Sequence, residues 1–476
     1  MPLTGSGGIL RAIGHACNAG ATPTELNTME SNDDTKMTLK QDIEAASGAP
    51  AELERLYRSS HAEGNEAAFR EALRQCEIEH PDDLLFKAWA HRLDLPVESE
   101  ADDLGRNRRW WTIIGASVLL GVVTALLADG KPPAPVPGES DVLFWVGWGP
   151  LVAVALLAYL AWAQRSTTSL TRYAAAAATV VVASLYVGLT LGARTDDTAF
   201  LGSVHLLFVS WAAVGAALCL GYANPARESF AYLVKSVEAV LTGGIFFGAG
   251  LIFVGLTYGI FAVLGIELPE EDLQVVAAWG VGAIPLLAIG SVYDPSVSPA
   301  AQDWHAGLTR TLRILTRLLL PLALGVLLVY VLWFIPVYFR KPFEEREVLI
   351  VYNATILAIM VLLTVVVSGP VDAQSVRRKS LFRYAVFGLG VLTLILNVYA
   401  MAAVAGRTID AGLTPNRFAV IGWNVTTLLI LSSVGVRLWR ARMQPWVPVF
   451  RESMGLLVTL GAIWGATLLI SLPFFG

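Results

Sequence analysis

The chain has 476 residues, 55% of them hydrophobic and only 15% charged, with a formal net charge of −5 and three cysteines. So apolar a composition excludes a disordered chain, the acidic balance excludes electrostatic capture of nucleic acid, and three scattered cysteines (Cys17, Cys76, Cys219) exclude a disulfide framework. The charge is uneven: the first 109 residues hold twelve Lys and Arg against twenty Asp and Glu, net −8, and the remainder is +3.

Residues 1–36 are rich in Gly, Thr, Asn and Ala without helical periodicity, which reads as disorder or as a mis-called start, with Met29 or Met37 as the true beginning. No secretory signal precedes the first apolar segment, so that segment must itself direct insertion. Residues 37–97 carry four apolar sets at helical spacing: Leu39, Ile43, Ala46; Leu53, Leu56, Tyr57; Phe69, Ala72, Leu73, Cys76; and Leu84, Leu85, Ala88, Trp89. Gly48 with Pro50, Gly64 and Pro81 fall between them as breakers. The pattern predicts a small acidic cytosolic domain of at most four helices, followed by a linker over 98–109.

From residue 110 to 476 the chain reads as eleven apolar segments: 110–128, 142–163, 173–192, 201–223, 239–264, 273–292, 318–339, 348–369, 384–405, 418–436 and 453–475. Each is about the 20 residues that a helix needs to cross a bilayer, and none alternates as a barrel strand would. The fold class expected is all-α, a polytopic transmembrane helical bundle, since backbone amides in lipid must bond within their own segment. No segment holds Asp, Glu, Lys or Arg in its interior, which removes the usual carriers of coupled ion transport. With the N-terminus inside, eighteen Lys and Arg fall in the inner connections and seven in the outer ones. The reading is therefore a membrane protein with a cytoplasmic N-terminus and an external C-terminus. The mixed-charge stretch Arg340 to Glu347 is read as an outer loop, with a missed or extra span elsewhere as the competing reading.

Within the membrane part, Gly244, Gly248, Gly255 and Gly259 recur at intervals of four, seven and four, forming one smooth helix face for close packing. Lys235 and Glu238, three apart just before that span, are expected to form an interfacial ion pair. Asn353, Asn397 and Asn424 lie five to eight residues from the outer ends of their spans, at depths of about 8 to 12 Å, where they could bond between helices or line a shared polar pocket. His205 is the one imidazole in a span, a satisfied histidine or a pH sensor. His305 with Asp294 and Asp303 reads as a solvated loop before a metal or proton-transfer site. No cysteine or histidine pair has metal-ligand spacing, and phosphate-loop, HExxH, GxSxG and dinucleotide patterns are absent, so no cofactor or metal is expected.

The run Gly412, Leu413, Thr414, Pro415, Asn416, Arg417, together with Leu318 to Leu324 around Pro321, resembles an uncharacterised bacterial membrane family, domain of unknown function 4153, over about 227–439. The resemblance implies a multi-pass bacterial inner-membrane protein and carries no activity with it. In the motif itself Pro415 fixes a turn, Asn416 is expected to cap the next helix, and Arg417 with Arg407 is a candidate contact for an anion or lipid headgroup. The expected function is a binding, regulatory or assembly component that contacts the lipid bilayer and, through its acidic domain, another protein. A transporter or flippase for an uncharged or amphiphilic substrate is the alternative, supported by kinks at Pro285, Pro321 and Pro336. A membrane enzyme using loop carboxylates comes third.

Overall fold

A computed structural model describes residues 39–62, 65–80, 83–93, 100–128, 142–164, 167–191, 197–264, 266, 269–302, 307–368, 376–440 and 446–475. The expectation for residues 1–36 lies outside them. The chain divides into two compact units, Met1–Arg108 and Arg109–Gly476.

Among its described residues the first unit packs α1 over 39–45, α2 (Pro50–Ala62), α3 (Glu66–Glu79) and α4 (Leu84–Arg92). Gly48 turns α1 into α2 with φ +70°, a left-handed conformation that suits glycine. Three of the four apolar sets meet in one core, with Ile43, Leu53, Phe69, Leu73 and Cys76 fully buried. The fourth is shifted in register. Leu84 is 79% exposed and Ala88 is exposed, while Phe86, Trp89 and Ala90 are buried. The cause is the cap: Asp83 accepts hydrogen bonds from the amides of Leu85 (2.8 Å) and Phe86 (3.4 Å), which starts the helix at Leu84 and turns that side chain outward.

The Ser47 hydroxyl and those amides hold the Asp83 carboxyl below its usual range. A depressed folded pKa contributes stability that is present above the ordinary carboxylate pKa of about 3.9 and is lost as pH falls through the lower folded value. Burial pushes the Cys76 thiol up to about 11, so its modification reports opening of this unit. Asp83→Ala should raise the rate of Cys76 alkylation, read by peptide mass, about fivefold, corresponding to ~1 kcal/mol for a lost cap. An unchanged rate would refute the capping role.

The stretch read as a linker over 98–109 is helical from Glu100 onward, because the first membrane-length helix, α5 (Glu100–Leu127), begins well before its apolar part. The other long helices are α6 (Val142–Gln164), α7 (Thr167–Leu191), α8 (Asp197–Cys219), α9 (Pro225–Val263), α10 (Glu270–Val292) and α11 (Gly307–Val329). After the short α12 (Lys341–Glu344) come α13 (Arg346–Val366), α14 (Val376–Ala411), α15 (Pro415–Arg440) and α16 (Trp446–Ser471). Eleven of these helices, α5 to α11 and α13 to α16, are long and apolar enough to cross a membrane. The second unit is thus an all-α polytopic bundle.

The two larger cores of the bundle share α9 and α16, and a smaller third one gathers around Leu191, Leu206 and Leu468. The first gathers α5 to α10 around Leu157, Leu160, Val180 and Leu286. The second gathers α11, α13, α14 and α15 around Leu363, Val386, Leu389 and Ile430. Helix α9 gives Tyr232 and Leu233 to the first core and Phe230 and Val234 to the second, while α16 gives Val458 to one and Met454 to the other.

Prolines inside helices leave carbonyls without their intrahelical donor. At Pro150 in α6, the carbonyl of Val146 takes a hydrogen bond from the Ser184 hydroxyl (3.1 Å). At Pro285 in α10, the carbonyl of Val281 takes one from the Trp148 indole (3.2 Å). Near Pro336, α11 widens into a π-helical turn over Tyr330–Phe334, which relieves the clash of the proline ring with the preceding turn.

Candidate functional site

The residues singled out from sequence do not assemble into one pocket. Asn397 and Asn424 are fully buried and bond to each other, the Asn397 side-chain amide donating to Asn424 Oδ1 at 2.9 Å. Asn353 stands apart and donates to the carbonyl of Leu349 in its own helix (2.7 Å). Two of the three amides thus form an interhelical pair, and the third bonds within its own helix.

Arg417 folds back onto its own turn. Its guanidinium donates to the carbonyl of Gly412, closing the turn between α14 and α15. Gly412 adopts φ +79° there. The cap of α15 is the hydroxyl of Thr414, which accepts from the Arg417 amide (3.4 Å), and Asn416 instead donates to Asp197. Arg407 is half-buried on α14, with its Nη1 buried and without a hydrogen-bond partner, and no contact joins it to Arg417.

The four-glycine face of α9 packs against nothing: a Cβ built at Gly244, Gly248, Gly255 or Gly259 meets no atom within 4 Å. Only 6% of the apolar window of α9 is buried, against 67% for α8, so this end of the helix faces outward. Close approach is made by other glycines, at Gly455 against the backbone of α9 and at Gly282 against α5.

His205 is buried. Its Nδ1–H donates to the Leu201 carbonyl (2.8 Å) and its Nε2 accepts from the Trp423 indole (2.9 Å), an arrangement that only the neutral tautomer satisfies. Asp294 pairs with Arg109 (3.3 Å) and caps its own turn through Ser296, while His305 and Asp303 lie outside the described residues. In the first unit, Glu44, Glu79 and His80 come close enough to hold a metal ion, but Lys40 already bridges the two carboxylates at 3.7 and 2.6 Å.

What the structure does assemble is a cavity of about 480 Å³ between α6, α8, α9 and α10. Its walls are apolar: Trp148, Val152 and Leu156 from α6, Leu207 from α8, and Ile284 and Pro285 from α10. Lining residues run from Trp148 to Leu160 along α6, about 18 Å at 1.5 Å per residue. A ring of local bonds fixes the α8–α9 wall. The Trp211 indole donates to Ser236 Oγ (2.9 Å), Ser236 donates to the Tyr232 carbonyl (2.8 Å), and the Tyr232 hydroxyl returns to the Trp211 carbonyl (2.7 Å).

Polar side chains in this wall are few and individually placed. Lys235 donates to Glu238 Oε2 at 2.8 Å and to the carbonyl of Val292 at 3.1 Å. The expected ion pair forms, and it is buried by neighbouring protein, with side-chain exposures of 8% and 6%. Val292 is the last residue of α10, whose terminal carbonyls carry partial negative charge and lack intrahelical donors, so the ammonium serves both the carboxylate and the helix end. Ser210 and Tyr293 also line the cavity. They are 2% and 9% exposed, and neither hydroxyl has a hydrogen-bond partner.

Ser210, Tyr293 and the two tryptophans carry no sequence signal, whereas Lys235 and Glu238 at helical spacing do. Fold and site together define a polytopic helical membrane protein with a mostly apolar, ligand-sized space among its described residues. Family models, curated proteins and solved structures give no match to the chain.

Proposed function

We propose that this protein binds a small amphiphile inside the bundle, as a binding or regulatory component of the membrane. The observation that carries the reading is the cavity itself, whose volume lies in the range of small-molecule sites and whose walls are apolar with a few placed polar groups. A carrier would need its lining helices to move. Both proline breaks in α6 and α10 are bridged by donors from neighbouring helices, Ser184 and Trp148, which favours a fixed site over a rocking one. The charge count of the connections supports a cytoplasmic N-terminus, the acidic first unit suits a protein partner, and the Gly412 to Arg417 motif supports kinship with the bacterial family named above.

Ala153 lines the cavity and is buried, so Ala153→Phe would fill it. The wild type purified in lipid nanodiscs is expected to retain one small amphiphile by native mass spectrometry, and Ala153→Phe to lose it while melting within a few degrees of the wild type. Wild-type protein that holds nothing, or that moves a solute across liposomes, would overturn the reading.

A further inference from the structure

We infer that the ligand of this cavity is an amphiphile with an uncharged hydrogen-bonding headgroup, of the class of long-chain alcohols, held by the hydroxyls of Ser210 and Tyr293. The inference rests on the binding function proposed above. Three observations converge on it.

The first is charge balance. Lys235 lines the cavity and is already neutralised by Glu238, which stands outside the lining. A carboxylate or phosphate entering would have to compete with Glu238 for the ammonium, and an ammonium would meet Lys235. Either ion would be stripped of water without gaining an unopposed partner, a cost that a neutral head avoids. The second is the pair of hydroxyls. Ser210 on α8 and Tyr293 at the end of α10 are both more than nine-tenths buried, both unpartnered and both in the lining. Each can donate one hydrogen bond and accept others, so each suits a group that does both, as an alcohol does. Buried polar groups without partners are rare because each carries a desolvation cost, and filling them favours the bound state. The third is the remaining wall, which from Trp148 and Val152 to Ile284 and Pro285 offers only apolar surface for a tail.

The test uses three probes with one tail and different heads, dodecanol, dodecanoate and dodecylammonium, added to the full chain in nanodiscs. Binding is read by competition against ω-bromododecanol, whose bromine quenches the cavity tryptophans Trp148 and Trp211; Trp148→Phe should reduce the quench and so locate it. Dodecanol is expected to bind at least about tenfold more tightly than either ion, whose head would give up water without gaining an unopposed counter-charge. Ser210→Ala and Tyr293→Phe should each weaken dodecanol by about 3- to 10-fold, the loss of one hydrogen bond. The same substitutions should leave the melting temperature of the empty protein unchanged or raised, since each removes an unpartnered buried hydroxyl.

Opposite signs for stability and affinity are what a purely structural role would not produce. Dodecanoate or dodecylammonium binding as well as dodecanol would overturn the inference and leave the amphiphile site standing. Variants that melt lower and bind dodecanol unchanged would overturn the role of the two hydroxyls. Absence of quenching by every probe would overturn the binding function itself.

Discussion

Glu238→Leu is expected to destabilise the protein by about 3–5 kcal/mol, the usual result of removing one partner from a buried ion pair. Lys235 would then remain in the wall with a formal charge and the Val292 carbonyl in place of its carboxylate. Most of the loss comes from stranding the ammonium, not from the attraction forgone. Removing both charges should therefore recover stability: Lys235→Met with Glu238→Leu is expected to melt well above Glu238→Leu alone. A double-mutant cycle in nanodiscs, followed by intrinsic fluorescence on heating, separates the coupling from the single losses. Additive single and double variants would mean that the two side chains do not act as a pair.

The second large effect concerns glycine. A Cβ at Gly455 on α16 would fall against the carbonyl oxygen of Ala226, far inside contact distance, and 3.2 Å from the amide nitrogen of Phe230. Those atoms are α9 backbone at the junction of the two cores and cannot swing aside as a side chain would. Gly455→Ala should thus cost at least about 2 kcal/mol, towards the upper end of what overpacking does, by forcing α9 and α16 apart. Gly248→Ala and Gly255→Ala meet open space and should be neutral or stabilising by up to ~1 kcal/mol through helix propensity. Equal melting temperatures for Gly455→Ala and Gly248→Ala would refute the close contact. The contrast matters because sequence spacing favours the second pair: the stripe is regular, yet it lies on the part of α9 that faces away from the bundle.

The difference between these glycines shows where sequence reasoning stops. Periodicity tells that four residues share one face of a helix, but only the neighbours decide whether that face is covered. Asn397 and Asn424 illustrate the same boundary. Their depth follows from residue counting, whereas their choice of each other over Asn353 follows from how α13, α14 and α15 are rotated. In the first unit, the apolar spacing locates all four helices, but the Asp83 cap sets the register of the last one and puts Phe86 inside in place of Leu84. Lys235 and Glu238 were legible as a pair. Their burial was not, because a charge at the edge of an apolar run reads as the membrane boundary, while α9 continues as one helix of 39 residues.

Hydropathy read along the chain was enough to place eleven membrane-length helices among the described residues and a small acidic helical unit, since length and hydrophobicity of a segment act locally and need no partner. Tertiary structure alone decided the cavity, the stranded hydroxyls of Ser210 and Tyr293 and the side-chain donors that bridge Pro150 and Pro285. These depend on which faces of α6, α7, α8, α9 and α10 meet. That choice is made by packing and by the pairing of buried polar groups across helices, interactions between residues as far apart in sequence as 148 and 281.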